Sequence, residues 1–192
     1  MKKTPDKAAK GANTMHMDVQ EILLDEARLA ELTDEISAKI NRDYSGEPVL
    51  AVVVMKGSLI FAADLIRKLD LDVSVDFMQA SSYGVGSESS GTIKIKKDLE
   101  SDVTGKNVLI IEDIVDSGRT LSLLKKEIAE RGAKTVRIAS LLSKPARRVV
   151  DVELEYVGTD IPDEFVVGYG LDFAEKYRNL PYVGILKPEV YR

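Results

Sequence analysis

Two unbroken β-branched-rich apolar runs, Val49–Met55 and Val108–Ile111, are each far too short to cross a bilayer. A strand of that composition has no face for water, so it belongs in a sheet covered on both sides. The neighbouring segments supply the covers. Gly57–Lys68 places Leu59, Phe61, Ala62, Leu65 and Ile66 at helical spacing, and Thr120–Arg131 reads as a helix that stops at Gly132. Leu23–Ile40 reads as an amphipathic helix ahead of the first strand. Val73–Gln79 and Thr92–Lys96 alternate in polarity as strands do, and Thr135–Leu142 is a further strand. Shorter strand-like pieces lie near Glu153–Val157, Glu164–Val167 and Val183–Leu186. This alternation predicts an α/β fold with a central parallel sheet of about five strands flanked by helices. Ligands in such sheets bind beyond the carboxyl ends of the strands, just after residues 55, 79, 111, 142 and 167.

Composition narrows the chemistry. With 192 residues the chain suits one domain, and 44% hydrophobic with 31% charged residues can build an ordinary core. Met1–Thr14 is basic and rich in small residues without the apolar stretch of a secretory signal, so it reads as a flexible flank to a single domain over residues 15–192. The expected location is cytoplasmic. There is no cysteine, which removes disulfides, thiolate nucleophiles and sulfur-held metals. The single histidine, His16, sits beside the flank and reads as an ordinary exposed residue, so no Ser-His-Asp arrangement is in prospect. Chemistry is left to carboxylates, lysines, arginines, backbone N–H groups or a hard metal held by oxygen. A net charge of −5 argues against a nucleic-acid surface, and no segment suggests a membrane partner.

The chemistry concentrates in residues 108–121, Val-Leu-Ile-Ile-Glu-Asp-Ile-Val-Asp-Ser-Gly-Arg-Thr-Leu. A buried strand ends in Glu112 and Asp113, Asp116 follows, and Ser117, Gly118, Arg119 and Thr120 open a helix. Helix N-termini present unpaired N–H groups and partial positive charge, so Ser117–Thr120 is a phosphate cradle. Gly118 lets the backbone approach, and the hydroxyls of Ser117 and Thr120 add donors. The long glycine loop and lysine of a triphosphate-binding loop are missing, so a monophosphate fits better. Glu112 and Asp113 would repel phosphate. They suit a vicinal diol, or Mg²⁺ through water, and Asp116 remains free as a base. The plainer alternative makes Asp116 or Ser117 a helix cap and the other two acids solvated loop residues. Three acids at the exit of a buried strand, where ligands are expected, favour a ribose 5-phosphate site.

That segment resembles the ribose-phosphate signature of the type I phosphoribosyltransferases, and its Glu-Asp-Ile-Val-Asp-Ser-Gly core is similar to the hypoxanthine–guanine branch. The similarity spans most of residues 20–190. It implies the type I phosphoribosyltransferase fold, with a small hood built from N-terminal residues and the segment after about residue 150. It also implies Mg²⁺, phosphoribosyl pyrophosphate and a 6-oxopurine as partners, with assembly into homodimers or homotetramers. Taken alone, Lys56 is a surface lysine and Gly57 a turn residue. The resemblance makes them a pyrophosphate loop shared with Arg178, with the Lys56–Gly57 peptide in the cis form. Ser81–Gly91 has the composition of a lid that keeps water from a reacting ribose, and the resemblance starts that lid at Ser82 and Tyr83. Lys144, otherwise an exposed lysine before Pro145, matches a purine-reading lysine. Its ammonium only donates, so it favours the carbonyl of a 6-oxopurine over the amino group of adenine. Phe165 matches a ring that stacks on the purine, Val166 a backbone contact to the base edge, and Asp172 an acid that joins Glu112 and Asp113 at magnesium. Arg147 and Arg148 read as surface charges. Two other readings compete: transfer to xanthine or another base, and a non-catalytic regulator that senses ribose phosphate.

Overall fold

The computed structural model describes residues 15–82 and 93–192. The described elements are β1 (Val19–Leu24), α1 (Glu26–Tyr44), β2 (Val49–Val54), α2 (Leu59–Ile66), β3 (Val73–Ser82), β4 (Ile93–Lys97) and β5 (Asn107–Val115). Then come α3 (Arg119–Glu130), β6 (Thr135–Ser143), a 3₁₀ turn at Pro145–Arg147, β7 (Tyr156–Asp160), β8 (Val166–Val167), β9 (Val183–Leu186) and α4 (Pro188–Tyr191). The flank Met1–Thr14 and residues 83–92 lie outside the described residues.

The central sheet has the order β4-β3-β2-β5-β6-β7. Its five strands from β3 to β7 are parallel, as the alternation predicts. The sixth, β4, pairs antiparallel with β3 at the edge, so the sheet is mixed rather than wholly parallel. A parallel return takes a crossover of roughly a dozen residues or more, usually a helix, and no helical pattern separates β3 from β4.

Successive residues of β2 and β5 serve opposite faces. Val49, Ala51, Val53, Leu109 and Ile111 pack with α1 and α2, while Leu50, Val52, Val54, Val108 and Ile110 pack with α3. All six residues of β2 are buried, which is why the run carries no polar alternation. Helix α1 contributes Leu29, Leu32, Ile36 and Ile40 at three- and four-residue spacing, each side chain stabilising the fold by roughly 1.5–3 kcal/mol on burial. It begins later than the pattern suggests. Asp25 caps it by accepting from Arg28 N at 2.8 Å, and Leu23 and Leu24 belong instead to β1.

A second sheet, β1-β9-β8, is antiparallel and joins the first described strand to the last two. Val166, Val183 and Ile185 extend the apolar cluster of α1 and α2 into it. His16 packs against this region while its side chain stays partly exposed. Its backbone N–H donates to the Tyr182 hydroxyl at 2.7 Å, and its ring meets the edge of Tyr177. Among the described residues no helix is long and apolar enough to cross a membrane.

Candidate active site

Strand β5 outruns β2. Its pairing with β2 ends at Ile111, whereas its pairing with β6 continues to Val115. The strand therefore does not end in the two acids, as the sequence suggests, but runs past them to Val115. It carries Glu112 and Asp113 onward with no β2 residue paired beside them. The chain leaving β2 turns across that flank through residues 55–58, and Gly57 meets Asp113 so closely that a Cβ would lie 1.7 Å from Oδ2. Gly57 is thus required by contact, beyond any need for a turn. The cis peptide in this loop is Met55–Lys56, one residue earlier than the resemblance implies.

Glu112 is half-buried and Asp113 buried, side by side. Asp113 N–H donates to Glu112 Oε1 at 3.2 Å and Ile114 N–H to Asp113 Oδ1 at 2.8 Å. Burial drives the proton affinity of both carboxyls up, and for Glu112 the neighbouring charge of Asp113 adds to it. Among the described residues neither acid forms an ion pair. A cavity of about 350 Å³ opens on this pair and runs along Asp116, Ser117, Gly118 and Thr120 to the start of α3. Gly118 is the N-cap of α3 with φ 80°, a left-handed conformation that glycine tolerates best. No side chain caps this helix end, and Ser117 Oγ accepts only a long bond of 3.4 Å from Arg119 N.

Lys144 is buried at the end of β6, not exposed. Its Nζ donates to Glu164 O at 2.8 Å and lies 3.7 Å from Asp116 Oδ1. Phe165 is held edge-on by Phe173 at 5.5 Å and face-on by Tyr191 at 4.9 Å, and Val166 is buried in β8 against Ile185. Lys144, Asp116 and the 164–166 segment thus form one group.

Lys56 and Arg178 form another. Both pair with Glu175, at 3.0 and 3.2 Å. Arg178 also donates to Gly170 O at 2.8 Å, and a Cβ on Gly170 would lie 2.0 Å from Gly57 O. Buried Arg178 Nε has no hydrogen-bond partner among the described residues. Asp172 is paired with Arg178 at 2.8 Å and accepts from Glu175 N. It is not gathered with Glu112 and Asp113, and the described residues hold no cluster of three or more such ligands. Strand β3 ends at Ser82, and Tyr83 lies outside the described residues.

Three residues here escape the sequence reading: Glu175, Tyr191 and Arg148. The first two meet their partners only through tertiary packing. Arg148 is not a free surface charge, since it donates to Asp116 O at 3.2 Å and Ser143 Oγ at 3.1 Å. The only sequence signal for it is its place just after a strand's carboxyl end.

The family model for the phosphoribosyl transferase domain matches residues 19–174, most of the chain. The chain belongs to the phosphoribosyltransferase family. A hypoxanthine-guanine phosphoribosyltransferase of Staphylococcus aureus is 50% identical over 177 residues, covering 92% of this chain and 99% of that protein. The bifunctional protein TilS/HprT of Listeria monocytogenes is 52% identical over 181 residues, 94% of this chain, and the chain spans 28% of its length. Among solved structures, a hypoxanthine phosphoribosyltransferase from Staphylococcus aureus has a TM-score of 0.89 at 49% identity, covering 93% of this chain and 97% of that one. A hypoxanthine-guanine phosphoribosyltransferase from Bacillus anthracis has a TM-score of 0.84 at 48% identity, covering 88% and 99%. These relatives place the chain in the hypoxanthine–guanine branch of the phosphoribosyltransferases, with the type I fold.

Proposed function

We propose that this phosphoribosyltransferase transfers the 5-phosphoribosyl group of phosphoribosyl pyrophosphate to N9 of hypoxanthine or guanine, releasing pyrophosphate and IMP or GMP. The observation that carries the reading is the cavity joining three features: the adjacent acids Glu112 and Asp113, the N-terminus of α3, and Asp116 beside buried Lys144. Residues 116–120 hold the 5′-phosphate through backbone N–H groups and hydroxyls. Glu112 and Asp113 accept from the ribose hydroxyls. Lys56, Gly57 and Arg178 receive the pyrophosphate, and the unpartnered Nε–H of Arg178 supports that assignment. Phe165 stacks on the purine, Val166 meets its edge, and Lys144 donates to O6.

In the transfer the bond from C1′ to pyrophosphate breaks and the bond from N9 to C1′ forms. Asp116 accepts the proton from N7, and Lys144 at O6 offsets the charge that develops on the ring. Ser82 and Tyr83 begin a lid that keeps water from the ribose cation.

Two adjacent carboxylates without an ion-pair partner are hard oxygen donors suited to Mg²⁺. It would be held by Glu112 and Asp113 together with substrate oxygens, with Asp172 as a third acid once its pair with Arg178 is released. When bound, magnesium supplies charge neutralisation for the leaving pyrophosphate. The same reading carries a cytoplasmic location and a homodimer or homotetramer.

The test is nucleotide formation with Mg²⁺ and phosphoribosyl pyrophosphate, offering hypoxanthine, guanine, xanthine, adenine, orotate and uracil separately. Magnesium-dependent IMP or GMP is the expected result. Product from another base alone would overturn the substrate assignment, and no product from any base would favour a ribose-phosphate sensor.

A further inference from the structure

The segment after β6 returns to the phosphate cradle and grips it from behind. Arg148 Nε donates to Asp116 O at 3.2 Å while its Nη2 donates to Ser143 Oγ at 3.1 Å, so one guanidinium ties the cradle to the end of β6. The next two backbone N–H groups, of Val149 and Val150, both donate to Ser117 O at 3.0 Å. Two consecutive carbonyls of the cradle are therefore held by three donors from residues 148–150. None of residues 148–150 lines the cavity along the cradle, so this grip acts on the side of the cradle away from that space. In a planar trans peptide the C=O and the following N–H point in opposite directions. Holding the carbonyls of Asp116 and Ser117 backwards turns the N–H groups of Ser117 and Gly118 forwards, toward the cavity. The fit is close enough to require glycine: a Cβ on Gly118 would lie 2.5 Å from Val150 O and 2.9 Å from Arg148 Cδ.

We infer that Arg148 is a positioning residue for 5′-phosphate recognition, aiming the cradle's N–H groups through the carbonyls of Asp116 and Ser117. The inference rests on the reading of residues 116–120 as the phosphate cradle. Arg148 acts through the backbone, with its side chain on the far side of the loop from the substrate. Its loss should therefore weaken ligands that carry the 5′-phosphate and spare those that lack it.

The experiment compares GMP with guanosine, which differ only in that phosphate, by calorimetric titration of the wild-type protein, Arg148→Ala and Arg148→Lys. Arg148→Ala is expected to bind GMP about ten-fold more weakly with guanosine affinity unchanged, and KM for phosphoribosyl pyrophosphate should rise more than kcat falls. Lysine should recover part of the loss, because it can make one of the two bonds. Val149→Pro removes one N–H to Ser117 O without touching the charge. The extended backbone of Arg148, φ −66° and ψ 121°, accommodates a following proline. This variant should lower GMP affinity in the same selective way by a smaller factor, and it carries the test if Arg148→Ala does not fold. Equal weakening of GMP and guanosine, or GMP binding unchanged in both Arg148→Ala and Val149→Pro, would overturn the role. A wild-type protein that binds GMP no better than guanosine would instead overturn the cradle reading, and the inference with it.

Discussion

The two ends of the central sheet use similar residues in opposite ways. At the amino end, charged and polar groups satisfy one another. Glu47 accepts from Lys134 at 2.6 Å and from buried Asn107 at 2.8 Å, and Asn107 in turn accepts from Thr135 Oγ1 at 3.0 Å. The Lys134 and Asn107 bonds hold the Glu47 carboxyl below its ordinary range. At the carboxyl end, Glu112 and Asp113 lie side by side with no ion-pair partner among the described residues, and burial drives both the other way. The amino end is arranged for stability. The carboxyl end crowds two acids together against the cost of their burial, an arrangement that a bound ligand would complete.

That contrast can be broken by mutation, and the largest effect is expected at the carboxyl end. Asp116→Asn should lower kcat by about a hundred-fold, with ribose 5-phosphate affinity little changed. Steady-state nucleotide formation beside a binding titration checks both halves, and unaltered turnover would remove Asp116 as the base. Lys144→Ala should weaken 6-oxopurine nucleotides by roughly ten-fold, because a charged donor to the base is lost. Equal affinity before and after would end its reading role. At the amino end, Asn107→Ala should cost about 1–3 kcal/mol of stability by chemical denaturation, since a buried group with three partners is removed. Its kcat should stay at the wild-type value, and a fall would couple the two ends. The smallest effect belongs to Glu47. Its folded-state pKa lies below the unfolded value, so its contribution is present above the unfolded pKa and is lost as pH falls through the folded one. Glu47→Gln should therefore flatten the acid side of an unfolding-temperature profile; a steeper acid side would reverse the sign.

Much of this contrast is legible in the sequence wherever a local rule decides. The unbroken apolar runs of β2 and β5, the helical spacing of Leu121, Leu124 and Ile128, and the acids before Ser117 each report their own surroundings. Helix α1 was displaced because Leu23 and Leu24 fit a helical stripe as well as they fit a strand, and only pairing with β9 decides between them. The antiparallel edge strand β4 likewise follows from its missing crossover rather than from its own residues. Within the site, Glu112, Asp113 and Asp116 stand out because they crowd one strand exit. Glu175 and Arg148 do not, since each acquires its place through contacts with residues distant in sequence or with backbone carbonyls. Asp172 is named by resemblance alone. It stands paired with Arg178 at 2.8 Å, a contact that its place in the sequence does not show.

The most direct test of the contrast is thermal unfolding of the ligand-free wild-type protein and of Glu112→Gln at neutral pH, with turnover measured on the same samples. Replacing one carboxyl of this crowded pair by a neutral amide should raise the unfolding temperature of the ligand-free protein while turnover falls. A variant that is less stable than wild type, or that keeps full turnover, would contradict the view that the carboxyl end gives up stability for its ligand.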